Sequence, residues 1–241
     1  MAARPYARVL LKLSGEALLG GQAYGIDTAT VARLTHEIGE VRAAGVELAI
    51  VIGGGNIFRG MAGAAGGMDR VVADHLGILA TVMNAIALAS ALRAAAIPAR
   101  ALSAVAVEPL CESYGRDRAL ELLAAGTVVI LAAGTGNPYF TTDTAAILRA
   151  AETGCDVVAK GTKVDGVYSA DPLTSPGATR HRHLTFEEVL ASNLAVMDAT
   201  AIALARDNSI PIIVFSIQED GALIDIVRGR GRFTTIDDGA G

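Results

Sequence analysis

The 241-residue sequence contains no tryptophan, two cysteines and four histidines, and its aromatic content is only 4%. Cys111 and Cys155 are far apart, without CxxC or Cys/His spacing, so neither a disulfide framework nor a structural zinc site is expected. A reducing cytoplasm fits this usage. His36, His75, His181 and His183 show no metal-ligand spacing and no nucleophile triad, and all four are read as non-catalytic. Charge is sparse as well: 19% of residues are charged, the formal net charge is -5 and the pI is near 5.4. Scattered arginines on an acidic chain make no counterion-releasing surface, so no nucleic-acid partner is expected. Residues 1–8 carry no apolar stretch of the secretory type. Two phosphate-binding signatures are also missing. Without GxxxxGK[ST] a P-loop NTPase is disfavoured, and without GxGxxG after the first strand so is a Rossmann dehydrogenase.

What is present is 52% hydrophobic residues and 27 glycines, the composition of a folded α/β chain. Strand-length apolar runs at Arg8–Leu13, Val46–Ile52, Ala99–Ser103, Thr127–Ala132, Asp156–Ala159 and Ile212–Phe215 alternate with helical patterns. Helices are expected at about Thr28–Ala44, with Asp27 as N-cap and Gly45 as stop, then at Asp69–Arg93, Arg116–Ala125, Thr144–Ala151, Glu187–Ala191 and Ala199–Asp207. This alternation implies a mainly parallel sheet covered on both faces, a three-layer αβα sandwich. The uncharged stretch Leu76–Leu92 is short for a membrane span and holds Thr81, Asn84 and Ser90, so it is read as a buried helix, with no membrane association. Asp165-Gly166 reads as the tight turn of a hairpin, and Asp171–Thr185 as a loop.

In parallel sheets ligands bind beyond the carboxyl ends of the strands. Four loops occupy such positions. Lys12-Leu13-Ser14-Gly15 offers a strand-borne ammonium beside exposed amides. Gly53-Gly54-Gly55-Asn56-Ile57-Phe58-Arg59-Gly60 combines close backbone approach with a fixed cation. Gly134-Thr135-Gly136-Asn137-Pro138-Tyr139-Phe140-Thr141-Thr142-Asp143 brings hydroxyls, amides and two rings, with Thr142 as cap of the next helix and Asp143 as a carboxylate in its first turn. Lys160-Gly161-Thr162-Lys163-Val164-Asp165-Gly166-Val167-Tyr168-Ser169-Ala170-Asp171-Pro172 supplies lysines, a hydroxyl and a tyrosine that can hold a nucleotide or neutralise a transferring phosphoryl group.

Taken together these loops resemble the amino acid kinase superfamily, and within it the bacterial UMP kinase family, over about Arg8 to Ile236. The Gly-Thr-Gly-Asn-Pro-Tyr-Phe-Thr-Thr-Asp loop carries the narrower likeness. The resemblance implies transfer of the ATP γ-phosphoryl group to UMP, a step of pyrimidine nucleotide biosynthesis, by a single domain over 1–241. Its N-terminal part is expected to take mainly UMP, and residues from about 160 to 236 mainly ATP. It implies Lys12, Arg59 and Asp143 as catalytic residues. ATP is expected at Lys12, Leu13, Ser14, Gly15, Gly55, Arg59, Thr162, Tyr168 and Asp171. UMP is expected at Gly54, at Asp74 by the ribose, and at Thr135, Gly136, Asn137, Pro138, Tyr139, Phe140, Thr141 and Thr142. Mg²⁺ is expected to arrive on ATP, with no direct protein ligand. The family further implies a cytoplasmic homohexamer, with GTP as activator and UTP as inhibitor. GTP is expected at Gly20, Gly21, Gln22, Ala23, Tyr24, Gly25, Arg93 and Arg100. Ala89 and Thr127 depart from basic residues found in some relatives. The alternative readings are a kinase of the same superfamily acting on a carboxylate or carbamate, or a non-catalytic nucleotide-binding protein.

Overall fold

The computed structural model describes residues 6–58, 66–172, 174–175, 177–194 and 196–239. The strands are β1 (Arg8–Leu13), β2 (Glu47–Ile52), β3 (Ala99–Ser103), β4 (Glu112–Ser113), β5 (Val128–Ala132), β6 (Val157–Thr162), β7 (His183–Thr185), β8 (Ile212–Ser216) and β9 (Phe233–Asp237). The helices are α1 (Thr28–Ala43), α2 (Arg70–Ala94), α3 (Arg116–Ala124), α4 (Thr142–Thr153), α5 (Phe186–Ala191), α6 (Ala199–Asp207) and α7 (Ala222–Val227). A single 3₁₀ turn, Gly15–Leu18, follows β1.

The strands form one sheet in the order β4-β3-β5-β2-β1-β6-β8-β9-β7. Every pairing is parallel except β8 with β9. The central strands β1, β2 and β5 are buried on both faces, which is why they read as near-continuous apolar runs. Side chains alternate between faces. Leu11 and Leu13 join Leu34, Leu88 and Leu223 beneath α1, α2 and α7, whereas Leu10 and Val51 join Leu123, Ile147 and Ile202 beneath α3, α4 and α6. The sandwich of three layers expected from the alternation is therefore present.

Helix ends follow local chemistry. Asp27 caps α1 through the Thr30 N–H at 2.7 Å, as expected. At α4 the cap is Thr141 rather than Thr142: its hydroxyl accepts the Asp143 N–H at 3.0 Å, and Thr142 is already helical. The hairpin expected at Asp165-Gly166 is also absent in that form. β6 continues to Thr162, residues 163–166 bend, and the returning chain makes one antiparallel bridge, between Tyr168 and Arg180. Within the segment read as a loop, residues 183–185 form β7. The apolar helix α2 is long enough to cross a membrane by length and composition alone. It is buried along one face only, through Ala73, Ala80, Asn84, Leu88 and Leu92. On the other face Val72, Leu76, Leu79 and Met83 are exposed at helical spacing, so a fully buried helix is not what forms.

Candidate active site

Strand order decides where the chemistry lies. β5, β2, β1 and β6 are consecutive in the sheet and parallel, so the loops leaving their carboxyl ends share one edge. These are the four loops singled out in the sequence. Lys12 on β1 and Lys160 on β6 are register partners, so both side chains leave the same face of the sheet, toward α4. Two ammoniums so placed repel one another. Asp143, in the first turn of α4, separates them: its Oδ1 is 2.6 Å from Lys12 Nζ and its Oδ2 is 2.8 Å from Lys160 Nζ. All three side chains are largely buried, at 7, 14 and 14% exposure for Lys12, Lys160 and Asp143, where Coulomb attraction at a contact is on the order of 4 kcal/mol, against about 1 in bulk water, and is set against the cost of desolvating the charges.

Burial alone would raise the Asp143 carboxyl, but the two lysines hold it below its ordinary value. Burial pushes the Lys160 ammonium down from 10.5, only partly countered by Asp143. Lys160 also donates to the Val196 carbonyl. Just beyond, Asp198 caps α6 through the Ala201 N–H at 3.0 Å and accepts the Thr144 hydroxyl at 2.8 Å and that of Thr141. The α5–α6 connection thereby backs the site and fixes the start of α4. Asp198 is not among the residues the sequence singles out, and Lys160 enters there only as one of the lysines of the fourth loop, not as a partner of Lys12 and Asp143. Only the register of β1 with β6 sets Lys160 beside Lys12, and that register pairs residues far apart in the chain.

Gly15 and the Gly53–Gly55 turn meet above this array. A Cβ on Gly15 would lie 2.7 Å from the Gly55 nitrogen and 2.8 Å from the Gly53 carbonyl oxygen, so only glycine permits this approach. On one side of the junction lies a cavity of about 150 Å³ lined by Gly54, Asp74, Thr81, Thr135, Phe140 and Thr142. On the other lies one of about 380 Å³, lined by Ser14, Glu16, Gly20, Thr162, Lys163 and Gln218. A larger concavity, about 880 Å³, is elsewhere, between α1 and the second half of α2. It is lined mainly by apolar side chains and carries none of these loops, so it is not where phosphate chemistry belongs.

Asp74 enters the smaller cavity from α2. Its Oδ2 accepts the Tyr139 N–H and the Arg70 guanidinium, each at 2.8 Å. Burial would raise its carboxyl, and these bonds hold it below 3.8. The loop it grips is bent by left-handed residues, Ala133 at φ 65°, Gly134 at 59° and Tyr139 at 70°. Asn137 and Pro138 complete that loop, Asn137 lining the cavity with Gly134. Tyr168 donates to Asp165 at 2.5 Å, and Asp171 is exposed beyond it. Residues 20–25 run beside the larger cavity, with Gly20 and Gln22 in its wall and Tyr24 exposed. Arg93 and Arg100 are exposed at the far end of α2 and on β3. Arg59 lies outside the described residues.

A parallel sheet whose strand ends bring together a Lys–Asp–Lys array, a glycine turn and two flanking cavities defines a class of phosphotransferase. The chain belongs to the amino acid kinase family, whose model matches residues 7–216. Within that family it is similar to uridylate kinases. It is 57% identical to the uridylate kinase of Agrobacterium fabrum over 99% of both chains. Among solved structures it is similar to UMP kinase from Bacillus anthracis, with a TM-score of 0.94, 37% identity and 98% coverage of each chain. UMP kinase from Ureaplasma parvum superposes with a TM-score of 0.91 at 37% identity, over 96% of this chain and 98% of that one.

Proposed function

We propose that the chain is a UMP kinase, reversibly transferring the γ-phosphoryl group of ATP to UMP to give ADP and UDP. The observation that carries this reading is the Lys12–Asp143–Lys160 array, whose chain neighbours Thr142 and Gly161 line the two cavities. UMP takes the smaller cavity, with its ribose at Asp74 and its base along 135–142. ATP takes the larger, along 12–15, Gly55, Thr162, Tyr168 and Asp171, so the N-terminal part serves mainly UMP and residues from about 160 to 236 mainly ATP. The UMP phosphate is already ionised at neutral pH, so in-line attack needs no general base. Lys12 and Lys160 offset charge on the transferring oxygens, Arg59 adds a further cation, and Asp143 holds the lysines in place.

Around the junction the donors are backbone amides and ammoniums, while Asp143 is already engaged by two lysines. That set fits a magnesium ion carried on the nucleotide rather than one held by the protein. When bound, the ion neutralises phosphate charge. The exposed stripe Val72, Leu76, Leu79 and Met83 supports assembly into the homohexamer, in the cytoplasm. GTP activation through residues 20–25 with Arg93 and Arg100, and UTP inhibition by occupation of the UMP cavity, complete the reading.

An ADP-release assay with Mg-ATP against UMP, CMP, dUMP, carbamate, aspartate and acetylglutamate, with and without GTP, tests it. Turnover with UMP is the expected result; turnover confined to a carboxylate or carbamate would keep the fold and overturn the substrate. Asp74→Asn is expected to raise KM for UMP roughly tenfold or more while sparing ATP, because a charge-assisted acceptor is lost. Unchanged UMP kinetics would remove Asp74 from the ribose. The lowered Lys160 value gives a second expectation. Because only the charged ammonium offsets phosphoryl charge, kcat falls as pH rises through that value, beginning below the ordinary lysine value of 10.5. Lys160→Arg moves this alkaline limb upward, and identical limbs in the two proteins would take Lys160 out of the charge array.

A further inference from the structure

The glycine turn is held in place by a buried pair of amides that take no direct part in the proposed transfer. Asn84, on α2, is fully buried, and Asn56, at the end of the turn, is 3% exposed. Asn84 Nδ2 donates to the Gly53 carbonyl at 2.7 Å and to Asn56 Oδ1 at 2.7 Å. Asn56 Nδ2 donates to Asn84 Oδ1 at 3.0 Å and to the Gly25 carbonyl at 2.8 Å. The Gly25 N–H returns a bond to the Asn56 carbonyl at 3.0 Å. All four amide hydrogens are thus used, and flipping either side chain would set carbonyls against carbonyls. Gly15 packs directly on Asn56, where a Cβ would collide with Oδ1. One pair therefore touches the turn after β2, the turn after β1 and the segment ending at Gly25.

We propose that Asn84 is a positioning residue for phosphoryl transfer: acting through Asn56, it sets the spacing of the Gly15 and Gly53–Gly55 turns and locks Gly25 to them. The inference rests on the kinase reading. Removing the Asn84 amide leaves the Gly53 carbonyl and half of the Asn56 amide buried without partners, which the turn relieves by moving. Displacement of a phosphate-facing turn by about 1 Å costs on the order of 10²-fold in rate.

Asn84→Leu, assayed on the full chain with Mg-ATP and UMP, is expected to lower kcat/KM for ATP by about 10²-fold. Hydrogen exchange is expected to show lost protection at the Gly25 amide with β1 still protected. Kinetic constants within about twofold of the wild type in a folded variant, or an unchanged Gly25 amide, would reduce the pair to packing. Asn84→Asp guards against a leucine variant that does not fold. Its carboxylate opposes the Gly53 carbonyl and Asn56 Oδ1, and protonation restores one donor. Its activity relative to wild type should therefore rise as pH falls from about 8 to about 6, since a buried carboxyl titrates high; a flat ratio overturns the proposal. Wild-type turnover of UMP tests the kinase reading separately, and the exchange measurement does not depend on it.

Discussion

Lys12→Ala is expected to lower kcat by roughly 10²–10³-fold, the cost typical of losing one preorganised donor to a charged transition state. The ground-state affinity for UMP should change far less, because Lys12 faces Asp143 and does not line the cavity proposed for UMP. Steady-state kcat together with UMP titration calorimetry separates the two quantities. An unaltered rate would remove Lys12 from the chemistry. Equal losses in rate and UMP affinity would move it into the acceptor site. The variant should remain folded, since Lys160 still neutralises Asp143 at 2.8 Å.

Asp143→Asn is expected to have the other large effect, on rate and stability together. It leaves two ammoniums, 7 and 14% exposed, facing each other without the carboxylate that lies between them. Breaking a buried charge cluster in this way costs about 3–5 kcal/mol. The pH dependence has a definite sign. The folded-state value of Asp143 is depressed below 3.8, so its stabilisation is fully present above the unfolded value and fades as pH falls through the folded one. The difference in unfolding free energy between wild type and variant should accordingly be constant near neutrality and shrink in acid. Denaturant titrations at several pH values measure it; a difference that persisted undiminished at the acid end would show that the carboxylate charge is not the cause. With Asp143 neutralised, the main group that raises the Lys160 value is lost and only Asp198 still raises it, so the alkaline limb of the remaining activity should begin at lower pH than in the wild type.

Much of the fold can be read from the chain because each central strand declares itself. β2 after Glu47 and the whole of β5 are unbroken apolar runs, and Asp27 and Gly45 punctuate α1 by their own local chemistry. What escapes is whatever depends on partners distant in sequence. β9 is antiparallel to β8 and parallel to β7, and its Phe-Thr-Thr-Ile-Asp run carries too few apolar residues to stand out. Thr141 and Thr142 are equally good caps on paper, and the choice of Thr141 goes with the Asp198 carboxylate that receives its hydroxyl from another helix. The uncharged face of α2 fits burial inside one chain or against another, and periodicity cannot tell these apart. At the site, Lys12 and Asp143 stand out through their loops. Lys160 is legible only as one of several lysines in the fourth loop, because nothing in Val-Val-Ala-Lys marks it as the neighbour of Lys12.

That neighbourhood has a consequence for how activity is gained and lost. The separation of the two lysines is written into the pairing of β1 with β6, and a slip of one residue would turn one of them to the opposite helical layer. No hinge or loop adjustment can restore it. On the proposed roles of the two lysines, catalytic competence is therefore all-or-none with respect to the central sheet. During refolding, activity returns only after the two strands have found each other across the chain, however early the helices form.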